Sequence, residues 1–178
     1  MRVLQASALA LLLPAVAAVA QPPAAAPAAA PPPAPDAAAI EAVIRTIPDA
    51  WNKRDAQLFA SAFADSHDSI VVGGLLFPNM TREINAQAHQ RLWQGPYAEG
   101  STVTFEIVEI EQPLPDVAFA IVKGHNAFVQ GGESKSYDTV LTLALLRTPE
   151  GWRIRQFNNN LVGPRPDARP AAPPKPSR

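Results

Sequence analysis

His89 is the side chain best suited to moving a proton in this 178-residue chain. An imidazole titrates near pH 6.5, so a histidine can give or take a proton near neutrality. Trp93 follows it by four residues, which puts both on one face of a helix. At the mouth of a pocket His89 would act as general acid or base. At a helix–sheet junction it would only hydrogen-bond across. Tyr137 and Asp138 form a second candidate pair. They are neighbours in a strand-like run and face opposite sides, so only one of them can reach a pocket. Asp138 in an apolar pocket would have a raised pKa and could take a proton alpha to a carbonyl. Tyr137 in that place would instead donate a hydrogen bond to a developing oxyanion. His125 and Asn126 pose the same alternative on the preceding run. Asn158, at the end of the last run, is placed to orient a carbonyl ligand. Trp51 and Trp93 offer aromatic surface to a ligand or to the core. Asp65 and Asp68 flank His67, but carboxylates in a short turn are ordinarily caps and solvent groups.

Composition removes several chemistries. The chain has no cysteine, which excludes disulfides, thiolate nucleophiles and cysteine-based metal sites. His67, His89 and His125 are far apart in sequence and match no metal motif. No Gly-x-Gly-x-x-Gly follows a strand, and Gly73-Gly74 reads as a turn. No cofactor and no metal are expected. Fifteen basic against sixteen acidic side chains make no electrostatic case for nucleic acid.

The elements that must position these residues fall into two sets. Asp36 is placed to cap a helix in which Ile40, Val43, Ile44 and Ile47 form an apolar stripe. The helix is expected to kink at Pro48 and reach Asn52. Asp55 is placed to cap a short second helix burying Leu58, Phe59, Ala62 and Phe63. Residues 65–68 read as a turn and 69–72 as a short strand, continued by 75–77 after Gly73-Gly74. Thr81 is placed to cap a third helix over 82–93, with Ile84, Ala88 and Arg91 or Leu92 inward, stopped by Gly95-Pro96. Four long strands follow, at 102–111, 116–130, 134–146 and 151–158, separated by Pro- and Gly-rich turns. Trp152, Ile154 and Gln156 alternate onto one face of the last strand, Arg153, Arg155 and Phe157 onto the other. Sequential hairpins make an antiparallel sheet. Long strands accumulate twist, which predicts strong curvature.

The ends differ from the middle. Met1–Ala20 reads as a secretory signal: Arg2, an apolar core over 9–18, then Ala18-Val19-Ala20 before a cut at Gln21. The alternative is a retained N-terminal anchor. Cleavage would leave 14 basic against 16 acidic side chains, a net −2. No other stretch has the roughly 20 apolar residues of a spanning helix, so no membrane span is expected after cleavage. Residues 21–35 are a Pro/Ala spacer, 36–162 one folded domain, and 163–178 a disordered basic Pro-rich tail. The expected location is periplasmic or secreted.

Five segments carry a family resemblance: Ala50-Trp51-Asn52-Lys53-Arg54-Asp55, Phe59 with Phe63-Ala64-Asp65, Thr81-Arg82-Glu83-Ile84, His89, and Gly151-Trp152-Arg153-Ile154-Arg155-Gln156-Phe157-Asn158-Asn159. In this order and spacing the chain resembles the NTF2-like superfamily, in particular its SnoaL-like branch (DUF4440-type, SgcJ/EcaC-type). The resemblance implies an α+β cone: three N-terminal helices packed on a strongly curved antiparallel β-sheet, commonly dimerising through the convex face. Two positions depart from the family. Thr81 stands where a glycine often precedes the basic residue. Phe157-Asn158-Asn159 stands where many members have Phe-His-Asn, which removes a histidine from the pocket. The apolar lining expected of such a pocket suits a small apolar or carbonyl-bearing molecule. Three functions fit: a small-molecule-binding domain, a cofactor-independent isomerase, dehydratase or cyclase working by proton transfer, or a non-catalytic dimerisation domain.

Overall fold

The computed structural model describes residues 35–163. The expected leader, spacer and tail lie outside them, but for Pro35 and Gly163. The element order is α1 (Ala37–Lys53), α2 (Ala56–Ser61), β1 (Phe63–Val71), β2 (Leu75–Met80), α3 (Arg82–Gln94), β3 (Ser101–Leu114), β4 (Val117–Gln130), β5 (Glu133–Thr148) and β6 (Gly151–Val162).

Ile40, Ile44 and Ile47 recur at helical spacing in α1 and are buried with Ala50. The helix runs through Pro48 and ends at Arg54. There a left-handed φ of 56° turns the chain, and the N–H bonds back to the carbonyls of Ala50 and Trp51. Asp55 and Thr81 cap α2 and α3, accepting from Leu58 N at 2.9 Å and Ile84 N at 3.2 Å. Asp36 does not cap α1. Its carboxylate accepts from Gln112 Nε2 at 2.9 Å and from Arg147, tying the start of the helix to β3 and β5. The buried side of α3 is Asn85, Ala86 and Trp93, whereas Ile84 is 53% exposed.

The strand order is β2-β1-β6-β5-β4-β3. β3 to β6 pair as antiparallel hairpins, but β1 lies parallel to β6 and antiparallel to β2. The expected wholly antiparallel, strongly curved cone is therefore corrected to a mixed six-stranded sheet, open and not strongly curved. The cause lies in β1. It begins at Phe63 and continues through the stretch expected to be a turn. Its register slips between Phe63 and Asp68 against β6, and between His67 and Ser69 against β2. Phe63, His67 and Ser69 thereby stay buried while Asp65 and Ser66 face solvent. Adding β1 and β2 beyond β6 extends the sheet sideways and leaves β2 and β3 as free edges. Pro78 and Asn79 of β2 have no register partner in β1. Asn79 has φ 53°, and its N–H turns to the Asp68 carboxylate at 2.8 Å.

A second irregularity lies in β6. Ala144 pairs with Gln156 but Leu145 with Ile154, so Arg155 is an extra residue. Unbroken alternation would put Gln156 with Trp152 and Ile154, and Phe157 on the opposite face. The bulge reverses this beyond Arg155. Phe157 and Asn159 face the helices, and Gln156 and Asn158 face away.

Helices and sheet meet over a core that includes Phe63, Val122, Leu141, Leu143, Leu145 and Ile154. Gly124 sits in this layer, with side chains of β3 and β5 close against its backbone. A Cβ there would lie 2.5 Å from Thr139 Oγ1, 3.2 Å from Leu141 Cδ1 and 3.3 Å from Phe105 Cε1. Gly124→Ala is expected to destabilise the domain by about 1–3 kcal/mol through overpacking. Urea unfolding measures this, and an unchanged midpoint would contradict the packing described.

Candidate functional site

A cavity of about 570 Å³ lies between the three helices and the sheet. Trp51 of α1, Phe59 of α2, His89 of α3, Phe105 of β3, Tyr137 of β5 and Phe157 of β6 line it. Exposed Leu75, Phe77 and Ile84 also border it, so its open side continues onto an apolar surface. Arg91 is the one lining residue of a type ionised at neutral pH, and it is exposed. Among the described residues no three His, Asp or Glu side chains cluster as metal ligands would, and no helix is long and apolar enough to cross a membrane.

His89 stands in the aromatic wall. Its ring stacks on Phe59 at 3.8 Å, and Trp51 and Trp93 lie 6.0 Å away. Its Nδ1 donates to the Asn85 carbonyl at 2.9 Å. A carbonyl can only accept, so Nδ1 carries the hydrogen and neutral Nε2 keeps a lone pair. Nε2 has no hydrogen-bond partner among the described residues. Burial is the largest influence on this imidazole and pushes its pKa down to about 4. The Asn85 carbonyl opposes that shift, and His67 adds slightly to it. His89 is therefore a neutral acceptor at pH 7, not the evenly poised acid–base that an unperturbed value near 6.5 implies.

His67, wholly buried, bonds to the side chain of the same Asn85. Its Nδ1 donates to Ala64 O at 3.0 Å, so Nε2 must accept, and it does so from Asn85 Nδ2 at 2.8 Å. Burial lowers the His67 pKa as well, with Ala64 O opposing. The Asn85 amide cannot reverse without setting its oxygen against a lone pair. Its Oδ1 is left buried with no partner.

The remaining candidates divide by strand face. Tyr137 lines the cavity, its hydroxyl 3.3 Å from that of Tyr97. Burial raises the Tyr137 pKa, so the phenol stays protonated. Asp138 lies on the opposite face, where its carboxylate accepts from His125 Nδ1 at 2.7 Å. Both are exposed side chains outside the cavity. They are corrected from site residues to a surface pair, because Asn126 and Tyr137 hold the inward positions of that strand register. Asn158 is likewise turned outward by the β6 bulge, and Asn159 takes its place. Trp51 is in the wall, with Nε1 donating to Ser101 Oγ at 3.0 Å. Trp93 is buried behind it, 5.5 Å away ring to ring, and supports the wall rather than lining it.

Sequence reasoning missed Tyr97, Asn159 and the His67–Asn85 bond. Tyr97 follows α3 in a loop with no periodicity to mark it. One polar atom of Asn126 (Nδ2) and one of Asn159 (Oδ1) are also buried without a partner.

Two histidines kept neutral make stability depend on pH. Below pH 6.5 the unfolded chain takes up protons that folded His67 and His89 refuse. Stability is thus full above pH 6.5 and is lost as pH falls toward about 4. His89→Phe is expected to flatten that fall, and urea midpoints measured across the window check it. Equal slopes in the two proteins would contradict the burial-driven shift.

Comparison with known proteins gives one consistent picture. The chain matches the SnoaL-like domain model over residues 40–158. None of the curated proteins matches. Among solved structures it is similar to a domain of unknown function with a cystatin-like fold from Nostoc punctiforme, with a TM-score of 0.64 and 23% identity over 72% of this chain and 78% of that one. It is also similar to a ketosteroid isomerase-like protein from Erwinia carotovora atroseptica, with a TM-score of 0.61 and 16% identity over 73% and 98% of the two chains. An NTF2-like protein with a cystatin-like fold from Novosphingobium aromaticivorans gives a TM-score of 0.56 and 21% identity over 71% and 82%. At these identities the structures speak to fold alone. With the domain model covering about two thirds of the chain, this protein belongs to the SnoaL-like domain family.

Proposed function

We propose that the domain binds a small, mostly apolar molecule in the cavity between its helices and its sheet. The observation that carries this reading is the lining. Aromatic rings from all three helices and from five of the strands surround about 570 Å³, with a few polar atoms converging among them. Such a volume and composition suit an organic molecule of ordinary metabolite size. A second reading is cofactor-independent proton transfer. Its support is the pairing of a neutral imidazole, available as base, with a protonated phenol, Tyr137, available as donor, on walls of one cavity.

A second copy of the chain is the partner we propose for the outer face of the sheet. Phe119 and Ile121 of β4 and Leu146 of β5 share that face and are 47%, 39% and 37% exposed. Adjacent apolar side chains left open to water favour a covering surface.

Two measurements test these readings. The uncharged fluorophore N-phenyl-1-naphthylamine is expected to brighten on binding the wild type, and Ala88→Trp, which fills the cavity, to weaken that binding at least about tenfold. Failure of the wild type to bind any uncharged aromatic probe would refute the binding reading. Exchange of a bound ketone's α-hydrogen with solvent, lost in His89→Phe, would decide for proton transfer. For the outer face, sedimentation is expected to show a dimer that Ile121→Lys converts to monomer. A monomeric wild type at high concentration would refute it.

A further inference from the structure

The chemistry of the cavity wall narrows what can enter, and this step rests on the binding reading above. A charged group brought among these rings would lose its hydration with no opposite charge to meet it. The lining has no acid and no lysine, and its single arginine, Arg91, is exposed. His89 offers no countercharge either, because burial keeps it neutral.

Its tautomer decides the rest. Nδ1 is committed to the Asn85 carbonyl, so the free ring atom, Nε2, can only accept. Rotating the ring does not help, since Phe59 stacks on one face at 3.8 Å while Trp51 and Trp93 crowd its surroundings. Water can serve this acceptor in the open cavity. A ligand that displaces the water without bringing its own hydrogen leaves Nε2 buried and unpaired, which costs affinity. A carbonyl or ether oxygen set there would place lone pair against lone pair.

We infer that the molecule this cavity selects is uncharged and presents an O–H or N–H donor to Nε2 of His89, with its apolar body against the aromatic wall. Such a molecule can use its other polar atoms at the opposite side. There Asn126 and Asn159 each hold an amide not engaged in any hydrogen bond with the cavity's other residues. A primary amide can turn to offer oxygen or nitrogen, so that side tolerates either kind of group. The His89 side does not. Selectivity is therefore asymmetric: strict for a donor at one wall, permissive at the other.

Three probes of similar shape separate the outcomes. 2-Naphthol is neutral and carries a donor, 2-methoxynaphthalene has the same oxygen without the hydrogen, and 2-naphthoate is charged. Quenching of tryptophan fluorescence at pH 7 is expected to show 2-naphthol binding about tenfold more tightly than the ether, the worth of one hydrogen bond. No binding of the carboxylate is expected. In His89→Phe the first two should converge. Should that variant not fold, ¹⁵N spectra of the wild-type histidine rings serve instead. The His89 Nε2 resonance should move to its hydrogen-bonded position with 2-naphthol and not with the ether. Equal binding of naphthol and ether, a preference that survives in His89→Phe, an unmoved Nε2 resonance, or binding of the carboxylate would each overturn the inference while leaving the cavity as a binding site. Failure of all three probes and of N-phenyl-1-naphthylamine would instead remove the binding reading itself.

Discussion

Strand pairing assigns each residue of β4, β5 and β6 to one of two sides, and one extra residue at Arg155 changes that assignment halfway along β6. Which strand side chains enter the cavity follows from this geometry. Asn126 pairs with Tyr137 on the inner side, and His125 pairs with Asp138 on the outer. The bulge brings Asn159 in with Phe157 and sends Asn158 out. Arg155 itself reaches the Asp68 carboxylate of β1 at 2.8 Å, so the displaced residue is anchored across the one parallel junction of the sheet. Without that shift Phe157 would leave the core and a glutamine would enter it.

The polar groups inside are few but ordered. Ala64 O orients His67, and His67 orients the Asn85 side-chain amide. The backbone carbonyl of the same Asn85 separately orients His89 and fixes its hydrogen on Nδ1. In a low-dielectric interior such a network is rigid when its members are satisfied, and its members are costly when they are not. Asn85 Oδ1 is the unsatisfied end. The same burial that holds both rings neutral makes them acceptors and not acids, and this sets the character of the site more than the presence of histidine does.

Much of the fold was legible because it rests on periodicity. The stripe Ile40, Ile44, Ile47 gave α1, Asp55 and Thr81 gave two helix starts, and the spacing of the Pro- and Gly-rich turns gave four hairpin strands. β1 was not legible. Asp65-Ser66-His67-Asp68 has the composition of a turn, and only pairing with β6, some ninety residues later in the chain, makes it a bulged strand. The site was half legible for the same reason. Alternation correctly made Tyr137 and Asp138 exclusive, as it did His125 and Asn126, but a strand with apolar residues on both faces does not say which side is inner. Asn158 was misplaced because a bulge leaves no mark in composition. Trp51 extends the apolar stripe of α1, whereas the stripe expected on α3 did not mark its buried side, and His89 stood out by its residue type and its spacing to Trp93.

The irregular edge at Pro78-Asn79 has a consequence for the molecule in a crowded solution. β2 carries Leu75, Leu76 and Phe77 exposed beside an open row of backbone groups, a combination that ordinarily recruits strands from other chains and grows into fibres. Proline supplies no hydrogen to such an added strand, and the left-handed turn at Asn79 carries the backbone out of register with it. The lip of the cavity can thus stay apolar while the irregularity guards the chain against self-templating.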